Sequence, residues 1–209
     1  MNAVSNKPVV KPKQGNESFV ADGKQLDFSL NDFWRWNVSD LLNNLTRGHL
    51  AEFIVAKALH IKSDVRDEWA AFDLEKEGTK IEVKAAAYIQ TWTQHNFSKI
   101  KFEVCKTKEW DWDKHGYRDP AKRHAHIYIF ALFAYKDEEA LKNKESVNPL
   151  DLDKWSFFLV PTTVLDDLDQ NSISLEALQK MEDKKYKPVT FLGLEEAFEQ
   201  LATNVRGLL

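Results

Sequence analysis

Apolar and polar residues alternate most sharply in residues 70–85, and this pattern predicts a β-hairpin. The two arms are residues 70–75 and 80–85. Between them, Glu77-Gly78 supplies a two-residue turn of the kind that needs positive φ angles. This turn fixes the register, and the predicted cross-strand pairs are Ala70 with Ala85, Phe72 with Val83 and Leu74 with Ile81 on an apolar face, and Ala71 with Lys84, Asp73 with Glu82 and Glu75 with Lys80 on a mostly charged face.

Two acids, Asp73 and Glu82, are predicted to face each other across this hairpin. Opposed side chains on neighbouring strands have Cβ atoms roughly 4.5–5.5 Å apart, and like charges there are destabilising. A divalent cation such as Mg²⁺ would remove the repulsion, because it prefers oxygen ligands. With Lys84 on the same face, the group suits metal-assisted hydrolysis. The alternative is a solvated hairpin face with an accidental acid pair.

The segment before the hairpin predicts a helix capped by Asn37 or Ser39. Its apolar positions at helical spacing are Val38, Leu41, Leu42, Leu45, Phe53 and Ala56. Glu52 and His49 fall on the same inward stripe. An inward acid is costly unless it is paired or binds metal, so the alternative to a metal role is an ion pair of Glu52 with Lys84 or Arg47. His49 is interpreted as a hydrogen-bonded core histidine.

The order of the remaining elements predicts an α/β fold with a central mixed sheet flanked by helices. Residues 127–135 form a near-continuous apolar run, as expected for a central strand covered on both faces. Further predicted elements are a short aromatic-rich element at 28–36, strands at 100–105 and 155–160, an extended piece at 189–191, and helices from a cap at Thr162 or Thr163 to Leu168, at 175–181 and at 194–205.

Residues 110–126 are predicted to be a long polar loop, and loops of this length are often functional. Four basic residues are candidates for nucleic-acid binding: Lys114, Arg118, Lys122 and Arg123. Interleaved Trp110, Trp112 and Tyr117 suit base stacking. The alternative is a solvated loop. His115, His124 and His126 lack a recognised zinc-ligand spacing.

Length and composition predict a soluble protein with one main domain. Residues 1–25 are interpreted as a flexible N-terminal arm, and residues 26–209 as a single domain with a C-terminal helical extension. The net charge is −4, so a nucleic-acid enzyme would have to concentrate positive charge locally. Cys105 is the only cysteine, which favours a cytoplasmic location. No apolar run reaches the roughly 20 residues of a membrane span, so no membrane partner is expected.

Asp73, followed by Glu82-Val83-Lys84, resembles the PD-(D/E)XK signature of the restriction-endonuclease-like nucleases. Phe72 stands where that signature often has proline. The resemblance implies a restriction-endonuclease-like fold in which Asp73 and Glu82 bind Mg²⁺, with Mn²⁺ able to substitute, and Lys84 assists the attacking water.

The resemblance extends to two flanking residues. Glu52, on the preceding helix, is implied to be a third metal-binding acid, and Gln90, shortly after the Glu-x-Lys strand, is implied to line the same cleft. Many members of that superfamily act as dimers, so a homodimer is also implied.

These observations predict a Mg²⁺-dependent nuclease that hydrolyses phosphodiester bonds, with DNA as the expected nucleic acid. A second hypothesis is a catalytically inactive nuclease-fold protein that binds nucleic acid or a protein partner. A third is an interaction domain whose partner surface contains Trp92, Trp110 and Trp112.

Overall fold

The computed structural model of the chain describes residues 10–62, 65–182 and 186–207. The strands are β1 (Ser18–Ala21), β2 (Lys24–Ser29), β3 (Leu74–Lys76), β4 (Thr79–Ala87), β5 (Lys101–Glu103), β6 (Trp110–Asp111), β7 (Gly116–Tyr117), β8 (Ile127–Phe133), β9 (Trp155–Pro161) and β10 (Ser172–Ser174). The α-helices are α1 (Leu30–Val38), α2 (Asn44–Ala58), α3 (Thr162–Leu168), α4 (Leu175–Glu182) and α5 (Leu194–Arg206). Three 3₁₀ turns span Glu139–Leu141, Leu152–Lys154 and Phe191–Gly193.

A four-stranded mixed sheet in the order β3-β4-β8-β9 forms the centre of the molecule. The pairs β3–β4 and β8–β9 are antiparallel, whereas β4 and β8 are parallel. All seven residues of β8 are buried, as expected for a strand with neighbours on both sides and cover on both faces. The chain is therefore a mixed α/β protein, and the prediction of a central buried strand is confirmed.

Each face of this sheet has its own apolar cluster. On one face, α2 and α5 pack against Ile81 and Val83 of β4. On the other face, β5, α3, β10 and α4 surround Tyr128 and Phe130 of β8. Successive residues of a strand point to opposite faces, so Glu82 lies on the same side of the sheet as Tyr128 and Phe130, and α2 covers the side opposite Glu82.

The predicted hairpin is confirmed at its turn and corrected at its far end. Glu77 and Gly78 both have positive φ, and Leu74 pairs with Ile81 as the register requires. The ladder ends at Leu74, however, and Phe72 packs in the second cluster rather than facing Val83. The pairs predicted beyond Leu74 are therefore wrong.

The helix predicted from Asn37 or Ser39 is two helices, with α1 ending at Val38 and α2 beginning at Asn44. The side chain of Asn43 caps α2 by accepting a hydrogen bond from the backbone N–H of Leu45 at 3.0 Å. Leu45 and Phe53, predicted to face inward, are exposed. The buried face of α2 instead contains Arg47, Ala51, Glu52, Ile54, Val55, Ala56 and Ala58.

Two segments predicted to lack regular structure contain hairpins. The strands β1 and β2 pair within and beside the predicted flexible arm of residues 1–25, and residues 1–9 of that arm lie outside the described residues. The predicted loop at 110–126 contains the β6–β7 hairpin.

The remaining elements lie close to their predicted positions. The helices α4 and α5 match the predicted bounds to within one residue. Helix α3 ends at Leu168 as predicted, but its cap is Pro161 rather than Thr162 or Thr163. The strand predicted at 100–105 is the shorter β5, and it pairs with β10 instead of joining the central sheet. Within the described ranges, every helix is too short or too polar to traverse a bilayer.

Candidate functional site

The candidate site lies at the edge of the central sheet, beside β4, at the point where the β3–β4 ladder ends. Asp73 immediately precedes β3, and its backbone N–H donates to the carbonyl of Ile81 at 3.0 Å. Its carboxylate oxygen Oδ2 accepts the backbone N–H of Val83 at 2.7 Å. Because the side chain takes the place of a strand neighbour, the carboxylate is fixed against the edge of β4 beside Glu82.

The carboxyl of Asp73 has a strongly perturbed acidity. Burial raises its pKa, the negative charges of Glu82 and Glu52 raise it further, and the result is a pKa of about 7. The hydrogen bond from Val83 and the charge of Lys84 act in the opposite direction without overcoming this effect. Negative charge is therefore crowded around Asp73, as is typical of functional sites.

Glu82 and Lys84 project from the same side of β4 and contact each other. The ammonium nitrogen Nζ of Lys84 lies 2.6 Å from Oε1 of Glu82. Burial lowers the pKa of Lys84, but the charges of Glu82, Asp73 and Glu52 outweigh that effect and leave the pKa raised. Lys84 is consequently a positively charged hydrogen-bond donor at neutral pH.

Glu52 is buried on α2 and has its own counter-ion, Arg66. The guanidinium of Arg66 binds both carboxylate oxygens, with Nη2 at 3.0 Å from Oε1 and Nε at 2.5 Å from Oε2. Neither of the predicted partners, Lys84 and Arg47, makes this contact. Glu52 still raises the pKa values of Asp73 and Lys84, so its charge acts on the same site.

Oxygen ligands for a cation are present mainly on the hairpin. Among the described residues, no three His, Cys, Asp or Glu side chains are already arranged to hold a metal ion. Asp73 and Glu82 each use one carboxylate oxygen in the hydrogen bonds given above, which leaves the other for a hard cation. Glu52 could join them only if Arg66 released it.

Gln90 belongs to a buried network beyond the end of β4. Its Nε2 donates to the carbonyl of Ala87 at 2.7 Å, and its Oε1 accepts from Nη1 of Arg47 at 3.1 Å. Arg47 is also buried, and that burial lowers its pKa. In the described part of the chain, Gln90 has no hydrogen bond to the acids or to Lys84, so its observed role is to anchor Arg47.

Two residues of the site were missed by sequence reasoning. Tyr128 is the β8 partner of Glu82, and burial together with the charge of Glu82 raises its pKa. The parallel pairing of the Glu-x-Lys strand with the apolar run would have identified Tyr128. Arg66 has no such signal, because it lies in an irregular segment with no fixed spacing to Glu52.

The predicted basic residues differ in their availability. Lys114, Arg118 and Lys122 are exposed, and Nε of Arg118 contacts Oδ2 of Asp111 at 3.0 Å. Arg123 requires a correction, because its side chain is only 1% exposed. Its guanidinium donates to Asp166 and to the backbone carbonyls of Val104 and Gln170, so it is not free to bind a phosphate.

Comparison of the chain with protein-family models, with curated proteins and with solved structures finds no match in any of the three. The interpretation of the site therefore depends on its own geometry and chemistry.

Proposed function

We propose that the protein is a divalent-metal-dependent nuclease that hydrolyses phosphodiester bonds in DNA, and that it uses Mg²⁺ or Mn²⁺. The observation that supports this most strongly is the partly buried Asp73 carboxyl, whose pKa is raised to about 7 beside Glu82 and Glu52. Such crowding destabilises a protein unless a bound cation offsets it. The resemblance of Asp73 and Glu82-Val83-Lys84 to the PD-(D/E)XK signature leads to the same proposal.

Asp73 and Glu82 are the proposed metal ligands. The hairpin fixes both backbones, and the Val83 N–H holds one oxygen of Asp73, so little reorganisation is needed to present the remaining oxygens. A divalent cation at this position supplies positive charge that polarises a phosphate and acidifies bound water.

Lys84 is proposed to stabilise charge rather than to act as a base. Its raised pKa keeps it protonated at neutral pH, so it can donate hydrogen bonds to a phosphate oxygen and to the attacking water. Its contact with Glu82 positions the ammonium on the same side of β4 as that carboxylate. Loss of the ammonium should therefore slow cleavage more than it weakens DNA binding.

Glu52 is proposed to be a reserve ligand controlled by Arg66. In the structure both of its oxygens are bound by Arg66, yet its charge reaches Asp73. Movement of Arg66 toward a DNA phosphate would free Glu52 for the cation, since guanidinium groups bind phosphate and carboxylate in similar geometries.

The test is hydrolysis of plasmid and linear DNA with Mg²⁺ and with EDTA. The wild type should cleave only with Mg²⁺. Glu82→Ala and Lys84→Ala should each be slower by roughly 100- to 1000-fold, the usual cost of losing a charge-stabilising group. Glu103→Gln, which changes an exposed acid on β5, serves as the matched control and should cleave normally. Equal activity in all four proteins would refute the proposal.

The second candidate is a nuclease-like protein that binds nucleic acid without cutting it. It is favoured by the pairing of Glu52 with Arg66 and of Glu82 with Lys84, because these contacts neutralise charge without a metal. It predicts no heat of Mg²⁺ or Mn²⁺ binding in calorimetry, together with salt-sensitive DNA binding that weakens when Lys114, Arg118 and Lys122 are neutralised.

A further inference from the structure

Four aromatic rings, two of them exposed, contact one another, and one of them comes from the segment just before Asp73. The ring of Trp69 contacts Trp110, with ring centroids 5.8 Å apart, and Trp112, at 6.2 Å. Trp110 in turn contacts Tyr117 at 5.1 Å. Trp69 is 55% exposed and Tyr117 is 62% exposed. We call Trp69, Trp110, Trp112 and Tyr117 the aromatic surface.

Three of the four rings, those of Trp110, Trp112 and Tyr117, lie on a braced hairpin. Trp110 and Tyr117 are cross-strand partners of β6 and β7. In the turn, Oδ1 of Asp111 accepts the backbone N–H of Asp113 at 3.0 Å and of Lys114 at 3.2 Å, and Oδ2 binds Arg118. Because these bonds fix the turn, the hairpin against which Trp69 packs is ordered before any ligand arrives, which lowers the entropic cost of binding.

Chain connectivity places the aromatic surface near the acids. Trp69 lies between Arg66, the partner of Glu52, and Asp73. Four residues of fully extended chain span at most about 14 Å, so Trp69 can be no farther than this from Asp73 at the backbone. Stacked bases of one strand rise about 3.4 Å each, so the backbones of Trp69 and Asp73 are separated by no more than roughly four base steps.

The hairpin segment that holds three of these rings, residues 106–122, has a small positive charge. The exposed cations between positions 106 and 122 are Lys106, Lys108, Lys114, Arg118 and Lys122. The acids of the same segment are Glu109, Asp111, Asp113 and Asp119, and Asp111 is buried beneath Arg118. Residues 106–122 therefore have a formal charge of +1, with Lys108 paired to Asp119 and Arg118 to Glu109 and Asp111, whereas the whole chain has a net charge of −4.

The ring contacts favour a flat ligand over a compact cation. An aromatic cage for a quaternary ammonium group needs a gap between the rings for the ligand. Here the centroids are only 5.1–6.2 Å apart, so the rings pack against one another and leave no such gap. What remains accessible is the outer surface of Trp69 and Tyr117, on which a planar base can stack.

We propose that the aromatic surface stacks unpaired bases, so that the site acts on single-stranded or frayed nucleic acid in preference to intact duplex. This inference rests on the proposed nuclease function for its link to cleavage. Stacking is tolerant of sequence because every base has a π-face, whereas in a duplex the faces are already covered by neighbouring bases.

The test is binding of a fluorescein-labelled oligo(dT) 20-mer and of the matching duplex, measured by fluorescence anisotropy in EDTA to prevent cleavage. Wild-type protein should bind the single strand more tightly. Trp69→Leu should weaken single-strand binding roughly 5- to 100-fold, the usual cost of removing a stacking ring, and Trp69→Phe should restore most of it. Trp36→Ala, at an 81% exposed tryptophan on α1, is the matched control and should bind normally.

The inference would be overturned by tighter binding of the duplex, by equal binding of the single strand by Trp69→Leu and the wild type, or by an equal loss of binding in Trp36→Ala. Displacement of the oligonucleotide by a trimethyllysine peptide would also overturn it in favour of an ammonium site. A parallel Mg²⁺ cleavage assay separates this inference from the nuclease proposal. Single-strand binding that depends on Trp69, without any cleavage, would contradict only the nuclease proposal. Cleavage at the same rate in Trp69→Leu and the wild type, and of single-stranded and duplex DNA alike, would contradict only the stacking proposal.

Discussion

Replacement of Asp73 by asparagine should stabilise the metal-free protein at alkaline pH. The carboxyl of Asp73 has a pKa of about 7 in the folded protein, compared with 3.8 as its ordinary value. The folded state therefore keeps a proton that the unfolded state releases, and wild-type stability falls as pH rises from about 4 to about 7. Asparagine retains a carbonyl oxygen that can accept the Val83 N–H, so the substitution removes the charge and keeps the hydrogen bond.

The shift sets the size of this effect. One pKa unit corresponds to about 1.4 kcal/mol, so Asp73→Asn should gain up to about 4 kcal/mol relative to wild type at pH 8 and about 1–2 kcal/mol at pH 5. Urea denaturation in EDTA at the two pH values measures the difference. Mg²⁺ at ten times its Kd should stabilise the wild type by about 1.4 kcal/mol and the variant by less.

A matched control separates this effect from a general effect of removing charge. Asp27→Asn changes an exposed acid on β2 and should alter stability little at either pH. If Asp73→Asn were less stable than the wild type at pH 8, or changed stability equally at pH 5 and pH 8, the claim that repulsion between Asp73 and its neighbouring acids destabilises the metal-free protein would be refuted.

Two further predictions concern the neighbours of the acids. Arg66→Gln should lower the free energy of unfolding in EDTA by about 1–3 kcal/mol, because Glu52 would remain buried without its counter-ion. Mg²⁺ should then stabilise this variant more than it stabilises the wild type. An equal effect of Mg²⁺ on both proteins in urea denaturation would argue against Glu52 as a reserve ligand. Gln90→Ala should lower the free energy of unfolding by about 1–3 kcal/mol, because it removes a hydrogen-bond partner of the buried Arg47. The Mg²⁺ affinity measured by calorimetry should not change. A variant that keeps full stability but loses Mg²⁺ affinity would instead place Gln90 at the metal.

Local patterns were sufficient for much of the sheet and its helices. The turn at Glu77-Gly78 follows from the backbone geometry that such turns require, and it fixes the pairing of Leu74 with Ile81. The continuous apolar run from Ile127 identifies a strand with neighbours on both sides. Both signals depend only on residues close in sequence, which is why they could be recognised in advance.

Tertiary contacts account for the errors. The register predicted beyond Leu74 fails because the Asp73 side chain takes the N–H of Val83, and alternation alone gives no sign of that bond. In the sequence, Arg123 looks like the exposed basic residues around it. Its hydrogen-bond partners Val104, Asp166 and Gln170 come from distant segments, so its burial could not be predicted from its own segment. Glu52 is inward as predicted, but its partner, Arg66, lies 14 residues later without periodic spacing.

The most direct measurement for the central claim is the anomalous X-ray signal of Mn²⁺ in crystals of the wild-type protein soaked with this ion. One peak is expected between the carboxylates of Asp73 and Glu82, at about 2.1 Å from an oxygen of each, as in sites that bind Mg²⁺ through carboxylates. The peak should be absent in Glu82→Ala. A peak elsewhere, or no peak in a protein that still degrades DNA with Mn²⁺, would contradict the assignment of this hairpin as the metal site.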